Sequence, residues 1–472
     1  MTEHVTAALR VLQDVAGRPD PTAPRAVGSI ARDLGMTLSR ASRLCAELEA
    51  TGMLERGGAY GHYRIGAAGV RLSGRAAAPF ARSLRFALLL AAQQTGETVL
   101  LAARGVDGFR VIDAVESLWT LHSPAEVGDR VTEGAVLEAA GILAGAPAEA
   151  GRAAVPLSES PIGMGVEIAS PVLGPSGECF AVLAVRLPAN RLEQNGPRAR
   201  RAVVAASRTI SRTLEDWLSS PPAATEPQAA TEATSPLEAA LAILRVLADR
   251  PDSVAGVSRA TGLRPDRVQR LIDSCRNAGL LQHSHDRTTR FQLGWIVQGW
   301  YRAASVPTMV EHGRPRVAEA ANRTLTCGFI TILKGMRSFT IVEELGLAGD
   351  GLRMTPWLGR AHPMIGSDGG PTLTMDFRSD EITLLFPARH TPQELQRFLT
   401  HADLVARDGV LTMEAFDDAG LLSISAPVRD ASGSVIAAAC IVGTTAYMRA
   451  NLNDVEEAAR RLAVEVTALL QP

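Results

Sequence analysis

The chain of 472 residues has a single lysine, Lys334; its other 47 basic residues are arginines. A bias so global marks a GC-rich, bacterial coding genome rather than a binding site. Cysteine is also sparse. Cys45, Cys179, Cys275, Cys327 and Cys440 are odd in number, scattered and without a CxxC pair. That pattern offers no zinc site and fits a reducing cytoplasm. Long apolar runs are missing. The longest, Phe86–Ala92 and Val435–Val442, are far short of a membrane span, so no membrane segment is expected. The opening MTEHVTAALRVL has no basic stretch followed by a long apolar one, so no export signal is expected. Catalytic signatures are lacking too: there is no GxSxG, no P-loop, no GxGxxG after a strand and no HExxH. His283 and His285 have no acidic or cysteine partner at ligand spacing, and His122 and His362 are isolated. The expectation is no enzyme, no catalytic residue, no metal and no cofactor.

What is present is ordinary globular composition, 46% hydrophobic and 21% charged. A prior of about 150 residues per domain predicts about three domains. The net charge of −2 conceals a partition. Residues 1–80 carry ten arginines against seven acids, and residues 237–302 carry ten against six; the rest of the chain is at −9. Two basic islands in an acidic chain are where a nucleic acid could dock.

One segment, Ser219–Pro236 (SSPPAATEPQAATEATSP), reads as a linker, because it cannot bury an apolar face. It divides the chain into halves that repeat each other. ALRVLQDVAGRP (Ala8–Pro19) lies against ALAILRVLADRP (Ala240–Pro251). DLGMTLSRASRLCAELEATGML (Asp33–Leu54) lies against ATGLRPDRVQRLIDSCRNAGLL (Ala260–Leu281), and HYRIG (His62–Gly66) against RFQLG (Arg290–Gly294). Later, ASPVLGPSGECFAVLAV (Ala169–Val185) matches SAPVRDASGSVIAAACI (Ser425–Ile441). Order is kept and gaps are few, which reads as an internal duplication.

Each half opens with the same pattern. Helical periodicity predicts a first helix over Val5–Ala16 or Leu237–Ala248 and a second over Val27–Leu34 or Val254–Thr261. A turn at Gly35 or Gly262 leads to a third helix, Leu38–Thr51 or Pro265–Asn277. A ribbon around Arg56–Ile65 or Gln282–Leu293 completes a winged helix-turn-helix. In the third helix, Ala41, Leu44, Cys45 and Leu48, or Val268, Leu271, Ile272 and Cys275, fall on one stripe that faces the core. The opposite face carries Ser39, Arg40, Ser42 and Arg43, or Arg264, Arg267, Gln269 and Arg270. Arginine forks fit guanine edges, glutamine fits adenine, and short hydroxyls bond phosphates. Arg56 and Arg64, or Arg287 and Arg290, are candidate wing contacts.

These residues resemble the IclR-type bacterial transcription regulators. That family's third helix looks like TGLPKSTVHRLLxxLxxxGYL and is followed by a wing ending in YRLG. TGLRPDRVQRLIDSCRNAGLL with FQLG, and LGMTLSRASRLCAELEATGML with YRIG, are similar. ISAPVRDASGSVIAAACIVG (Ile424–Gly443) resembles the family's C-terminal signature. The resemblance implies an α+β chain with two winged helix-turn-helix domains, each followed by a GAF-like effector-binding domain. The implied boundaries are 1–66, 67–218, 237–294 and 295–472, with the linker at 219–236. It implies a sequence-specific regulator whose partners are a double-stranded DNA operator and a small-molecule effector, an organic or aromatic acid. Family members work as dimers with one winged helix each. This chain carries two, so it reads as a covalent pseudo-dimer that could pair again as a homodimer. The linker spans about 23 Å as a coil and about 60 Å extended. Half-sites one turn apart lie about 34 Å from each other, so both helices could reach one duplex. Because the helices differ, an asymmetric operator is expected. A winged-helix scaffold without ligand response is the alternative reading.

The two later domains are unequal. From Gly128 to Pro171 there are 43 residues, but from Gly359 to Pro427 there are 68. The resemblance carries the family's ligand-binding positions onto Gly366, Ser367, Glu414, Ser423 and Cys440 of the second domain. Val442, where the family often has serine, and the run Gly369-Gly370-Pro371 depart from its pattern. In the first domain the equivalents are Glu167, Ala184 and Arg186, with Glu167 and Arg186 placed to pair and fill the pocket. The expectation is one degenerate domain and one that senses.

Overall fold

The computed structural model describes every residue except 1, 146–155, 220–234, 285–288, 347–353, 368, 387–389, 415–419 and 472. The chain is mixed α and β and divides into two compact units, Met1–Ala304 and Ser305–Pro472.

The first unit begins with α1 (Thr2–Ala16), β1 (Arg25–Ala26), α2 (Val27–Asp33), α3 (Leu38–Ala50), β2 (Leu54–Arg56) and β3 (His62–Ile65). The strands form a sheet in the order β1-β3-β2. Two helices follow, α4 (Ala67–Ala77) and α5 (Ala81–Thr95). Then come β4 (Thr98–Gly105), β5 (Gly108–Val115), β6 (Arg130–Val131), α6 (Ala135–Gly145), β7 (Ser158–Ile162), β8 (Gly165–Leu173), β9 (Cys179–Pro188) and the long α7 (Leu192–Ser219). These strands make a six-stranded sheet, β6-β5-β4-β9-β8-β7. It is here called lobe 1.

The opening pattern then returns as α8 (Pro236–Asp249), β10 (Asp252–Ser253), α9 (Val254–Thr261), α10 (Pro265–Asn277), β11 (Leu281–Ser284) and β12 (Arg290–Leu293). Its strand order, β10-β12-β11, repeats that of the first sheet. Helix α8 starts sharply because Ser235 and Glu238 form a capping box and Pro236 sits in the first turn. The short strands β1 and β10 are additions to the two-stranded ribbons expected from sequence. Each is only two residues long, too short for a period-2 signal.

The second unit follows α11 (Trp300–Thr308), whose last four residues belong to it. It contains α12 (Arg314–Thr324), β13 (Cys327–Leu333), β14 (Arg337–Glu344), β15 (Ala361–Pro363), α13 (Gly369–Thr374), α14 (Ser379–Leu385), α15 (Pro392–Asp408), β16 (Leu411–Glu414), β17 (Leu421–Arg429), β18 (Val435–Thr444), α16 (Thr445–Ala450) and α17 (Leu452–Leu470). Its sheet, β15-β14-β13-β18-β17-β16, follows the same path as lobe 1. This is lobe 2. Among the described residues, the extra length of lobe 2 lies in α14 and α15, which have no counterpart between β6 and β7.

One buried cluster runs through the whole first unit. It takes Leu9 and Leu12 from α1, Leu44 from α3, Leu244 from α8, Ile272 from α10, Leu88 from α5 and Ile210 from α7. The two opening modules therefore share a core with each other and with one face of the lobe 1 sheet. Phe80, Trp217, Phe180 and Trp295 join this core through ring contacts of 4.9, 5.2 and 5.9 Å. Ser73 Oγ donates to the Val297 carbonyl at 2.5 Å and accepts from the Tyr301 amide at 3.0 Å. Arg302 pairs with Asp113 of β5. Gly279, with φ +74°, allows the second module to touch the β4–β5 hairpin; a Cβ there would lie 2.7 Å from the Val106 nitrogen. Direct packing thus holds the two modules together. The segment 220–234, expected to be a flexible tether, lies outside the described residues; Ser219 ends α7 and Pro236 begins α8.

Candidate nucleic-acid interface and ligand face

Helix α3 is capped by Thr37, whose hydroxyl accepts from the Arg40 amide at 3.3 Å. Ala41, Leu44, Cys45 and Leu48 are fully buried. That turns Ser39, Ser42 and Arg43 to solvent on the other side. Arg40 is half-buried and bonds Glu3 at 3.1 Å. Arg43 has no ion-pair partner among the described residues. In the wing, Arg64 is tied across the ribbon to Glu55 at 2.6 Å and Arg56 is tied to Glu49 at 2.8 Å. The wing tip instead presents Tyr60, which is 94% exposed. Tyr60 was not among the sequence candidates. Its signal was the glycine cluster Gly57, Gly58 and Gly61 around an aromatic residue, the mark of an exposed turn.

Helix α10 buries Val268, Leu271, Ile272 and Cys275 as expected, but also Ser274. The reason is α1, which lies against that side. Thr6 Oγ1 donates to the Ser274 carbonyl at 3.2 Å, and Arg10 reaches the Asn277 carbonyl at 3.4 Å. Arg264, Gln269 and Arg270 remain exposed and Arg267 is half-buried. Their charge is partly compensated. Asp266 lies 3.4 Å from Arg264 and 3.2 Å from Arg270, while Asp273 accepts from Gln269 at 3.2 Å. Arg267 has no ion-pair partner among the described residues. Acids accompany the arginines on both third helices: α10 has Asp266 and Asp273, and α3 has Glu47, which bonds His4, and Glu49, which bonds Arg56. Arg290 sits half-buried in β12, opposite Ser284 and Ser253. Arg287 and His285 lie outside the described residues. His283 packs on the Phe291 ring at 4.8 Å.

In each lobe one sheet face meets long helices and the other meets the helix that follows the third strand. In lobe 2 the first face is apolar: Ile424, Ala426, Ile441 and Ala439 pack with Val455 and Leu462 of α17. Strand alternation sends Ser423, Ser425 and Cys440 to the opposite face, with Phe329 and Thr331 of β13. Helix α13 covers them closely. Thr372 and Ser425 hydroxyls are 2.7 Å apart, and a Cβ on Gly369 would lie 2.7 Å from Thr331 Oγ1. Thr331 and Cys440 are 3.8 Å apart. Ser367, just before α13, accepts from the Gly370 amide at 3.1 Å, and Gly366 turns the chain into it. Gly366, Ser367, Ser423 and Cys440 are thus on or beside the face that α13 covers. Glu414 is placed elsewhere: it is exposed at the end of β16 and bonds Arg449 of α16 at 2.7 Å. Sequence reasoning missed Thr331, Thr372 and Ser425, isolated hydroxyls whose convergence depends on strand register.

In lobe 1 the corresponding face, among the described residues, is mainly apolar, with the hydroxyls of Thr98, Ser158 and Ser160 and one charged pair. Leu100, Ala102, Val111, Ala169, Val182 and Ala184 surround it. Arg186 Nε donates to Glu167 Oε2 at 2.8 Å across β8 and β9. Glu167 is fully buried and Arg186 is 9% exposed.

The sequence matches no protein-family model and no curated protein. Comparison with solved structures finds partial likenesses. A Rhodococcus sp. protein described as an IclR-family regulator is 18% identical over 52% of this chain and 98% of its own, with a TM-score of 0.39. An IclR regulator from Silicibacter sp. TM1040 is 17% identical over 50% of this chain and 96% of its own, with a TM-score of 0.38. One from Alicyclobacillus acidocaldarius is 15% identical over 49% and 98%, with a TM-score of 0.31. All three are described as transcriptional regulators and none as an enzyme. Among the described residues, no helix is long and apolar enough to cross a membrane, and no group of three or more His, Cys, Asp or Glu could hold a metal ion.

Proposed function

We propose that the chain is a DNA-binding transcription regulator of the IclR type, with two winged helix-turn-helix units, two GAF-like lobes and a small-molecule effector held in lobe 2. One observation carries this reading. Two helices with basic, hydroxyl-bearing or amide-bearing solvent faces are mounted on one body with a common core. Arg43 on α3, and Arg264, Arg267, Gln269 and Arg270 on α10, are the proposed base and phosphate contacts. Ser39 and Ser42 add short phosphate donors. The operator is asymmetric, because the two faces differ in sequence. Shared packing sets the separation of the helices, so the effector acts on a body of fixed internal spacing rather than on two tethered heads. Lobe 2 is the sensing lobe, because its covered sheet face is lined by hydroxyls and a thiol that can orient a ligand. The pairing of two chains would place four winged units on DNA.

The test is a mobility-shift titration on the DNA flanking the protein's own gene, with Arg43→Ala, Arg270→Ala and the double variant. The reading expects each single change to weaken binding, and expects affinity to fall steeply with salt. Binding that is insensitive to salt and to both substitutions would leave the winged units as a protein scaffold.

A further inference from the structure

We infer that lobe 1 is a small-acid site already occupied by its own side chain, with Glu167 as the built-in ligand. The two carboxylate oxygens are divided between two kinds of donor. Glu167 Oε1 accepts from the Val136 backbone N–H at 3.0 Å, in the first turn of the eleven-residue α6. Glu167 Oε2 accepts from Arg186 Nε at 2.8 Å. Arg186 is itself held by the Pro124 carbonyl, to which Nη1 donates at 3.0 Å. A helix N-terminus and a fixed guanidinium are the two groups that proteins use to hold a carboxylate. Here they converge on one, buried away from water.

Backbone conformation supports the same reading. Gly134 precedes α6 with φ +101°, and a Cβ there would lie 2.6 Å from Glu167 Oε1. Only glycine lets the start of the helix close on the carboxylate. In lobe 2 the register pair at this place is Ser423 with Val442, which carries no charge. The lobes thus differ at this register pair: one holds its own anion, and the other has a serine opposite a valine. The internal ligand lies on the sheet face opposite the core that lobe 1 shares with both winged units. Lobe 1 then neither needs nor admits an external acid.

The experiment is thermal denaturation of the full chain as wild type, Glu167→Ala and Glu167→Ala/Arg186→Met, with added acetate, formate, chloride or acetamide at matched ionic strength. Removing Glu167 leaves a buried arginine without a counter-charge and the Val136 amide without its acceptor, so Tm of Glu167→Ala falls by about 10 °C. Acetate or formate at about 100 mM restores at least half of that loss, as ligand linkage requires. Acetamide and chloride do not. The wild type and the double variant show no acetate response. An acetate response in Glu167→Ala no larger than in wild type overturns the inference, and so does an equal response to acetamide. If Glu167→Ala does not accumulate folded, the soluble yield on refolding replaces Tm. It rises with acetate alone if Glu167 is a ligand surrogate, and equal yields overturn the idea. The readout is stability, so its failure leaves the DNA-binding reading untouched.

Discussion

Thr6 Oγ1 donates to the backbone carbonyl of Ser274 at 3.2 Å, across 268 residues of sequence. The bond joins the first helix of one winged unit to the third helix of the other. Ser274 is 1% exposed beneath α1, although it lies on a helix whose other polar residues face solvent. The seam has no room for a larger side chain. Ser274→Leu is expected to cost about 1–3 kcal/mol by overpacking and to lower Tm by several degrees. It is also expected to weaken DNA binding by both units together, because it changes the angle between α3 and α10. Thermal denaturation and mobility shift check the two halves of the prediction. Unchanged DNA affinity in a clearly destabilised variant would separate the seam from function.

Asp266 stands between Arg264 and Arg270 at 3.4 and 3.2 Å. All three are exposed, so the pairs contribute little to stability. Their effect falls on the field that α10 presents. Asp266→Ala is expected to leave Tm unchanged and tighten DNA binding about fivefold at low salt, with a steeper salt dependence. Equal affinity for the variant and wild type at low salt would place these arginines away from the DNA.

Arg302 and Asp113 form an ion pair whose side chains are 12% and 14% exposed. Removing one partner strands the other charge away from water. Asp113→Ala is therefore expected to destabilise the first unit by about 3 kcal/mol. Hydrogen exchange checks this at residue resolution: amides of Trp300 and Tyr301, both 1% exposed, should lose protection first.

Burial pushes the Cys45 and Cys275 thiols up from 9.0 to about 12. Nearby Asp14 adds to the effect at Cys45. A thiol raised in the folded state stabilises the fold below its unfolded pKa, and that contribution is lost as pH rises through the folded value. Stability to denaturant is thus expected to decline between about pH 9 and pH 12, and Cys275→Ala should flatten the decline. Neither thiol should react with an aromatic disulfide reagent at pH 8 until the protein unfolds. Rapid stoichiometric reaction of Cys45 in the native state would contradict the burial.

Much of the architecture was legible locally. The third helix of the second unit was expected over Pro265–Asn277 and has those bounds, because a proline start, a periodic apolar stripe and a closing glycine turn all act within a few residues. The pairing of Glu167 with Arg186 was also readable, from matched positions on two strands joined by a tight turn. The missed features are of another kind. β1 and β10 are too short to show a period. Tyr60 carries no charge to draw notice, and Glu414 was carried onto a ligand face by resemblance although it ends at the surface beside Arg449.

The sequence alone determined the repeated element order, the arginines on both third helices and the shorter first lobe. These follow from periodicity, turn residues and residue counts, which are properties of neighbours along the chain. Tertiary structure alone decided that α1 lies on α10, that Arg40 is tied to Glu3 of α1, and that Glu167 closes on the start of α6. Each of these depends on which apolar faces meet once the chain is compact. A side chain's charge or hydroxyl becomes a contact only when packing has chosen its neighbour.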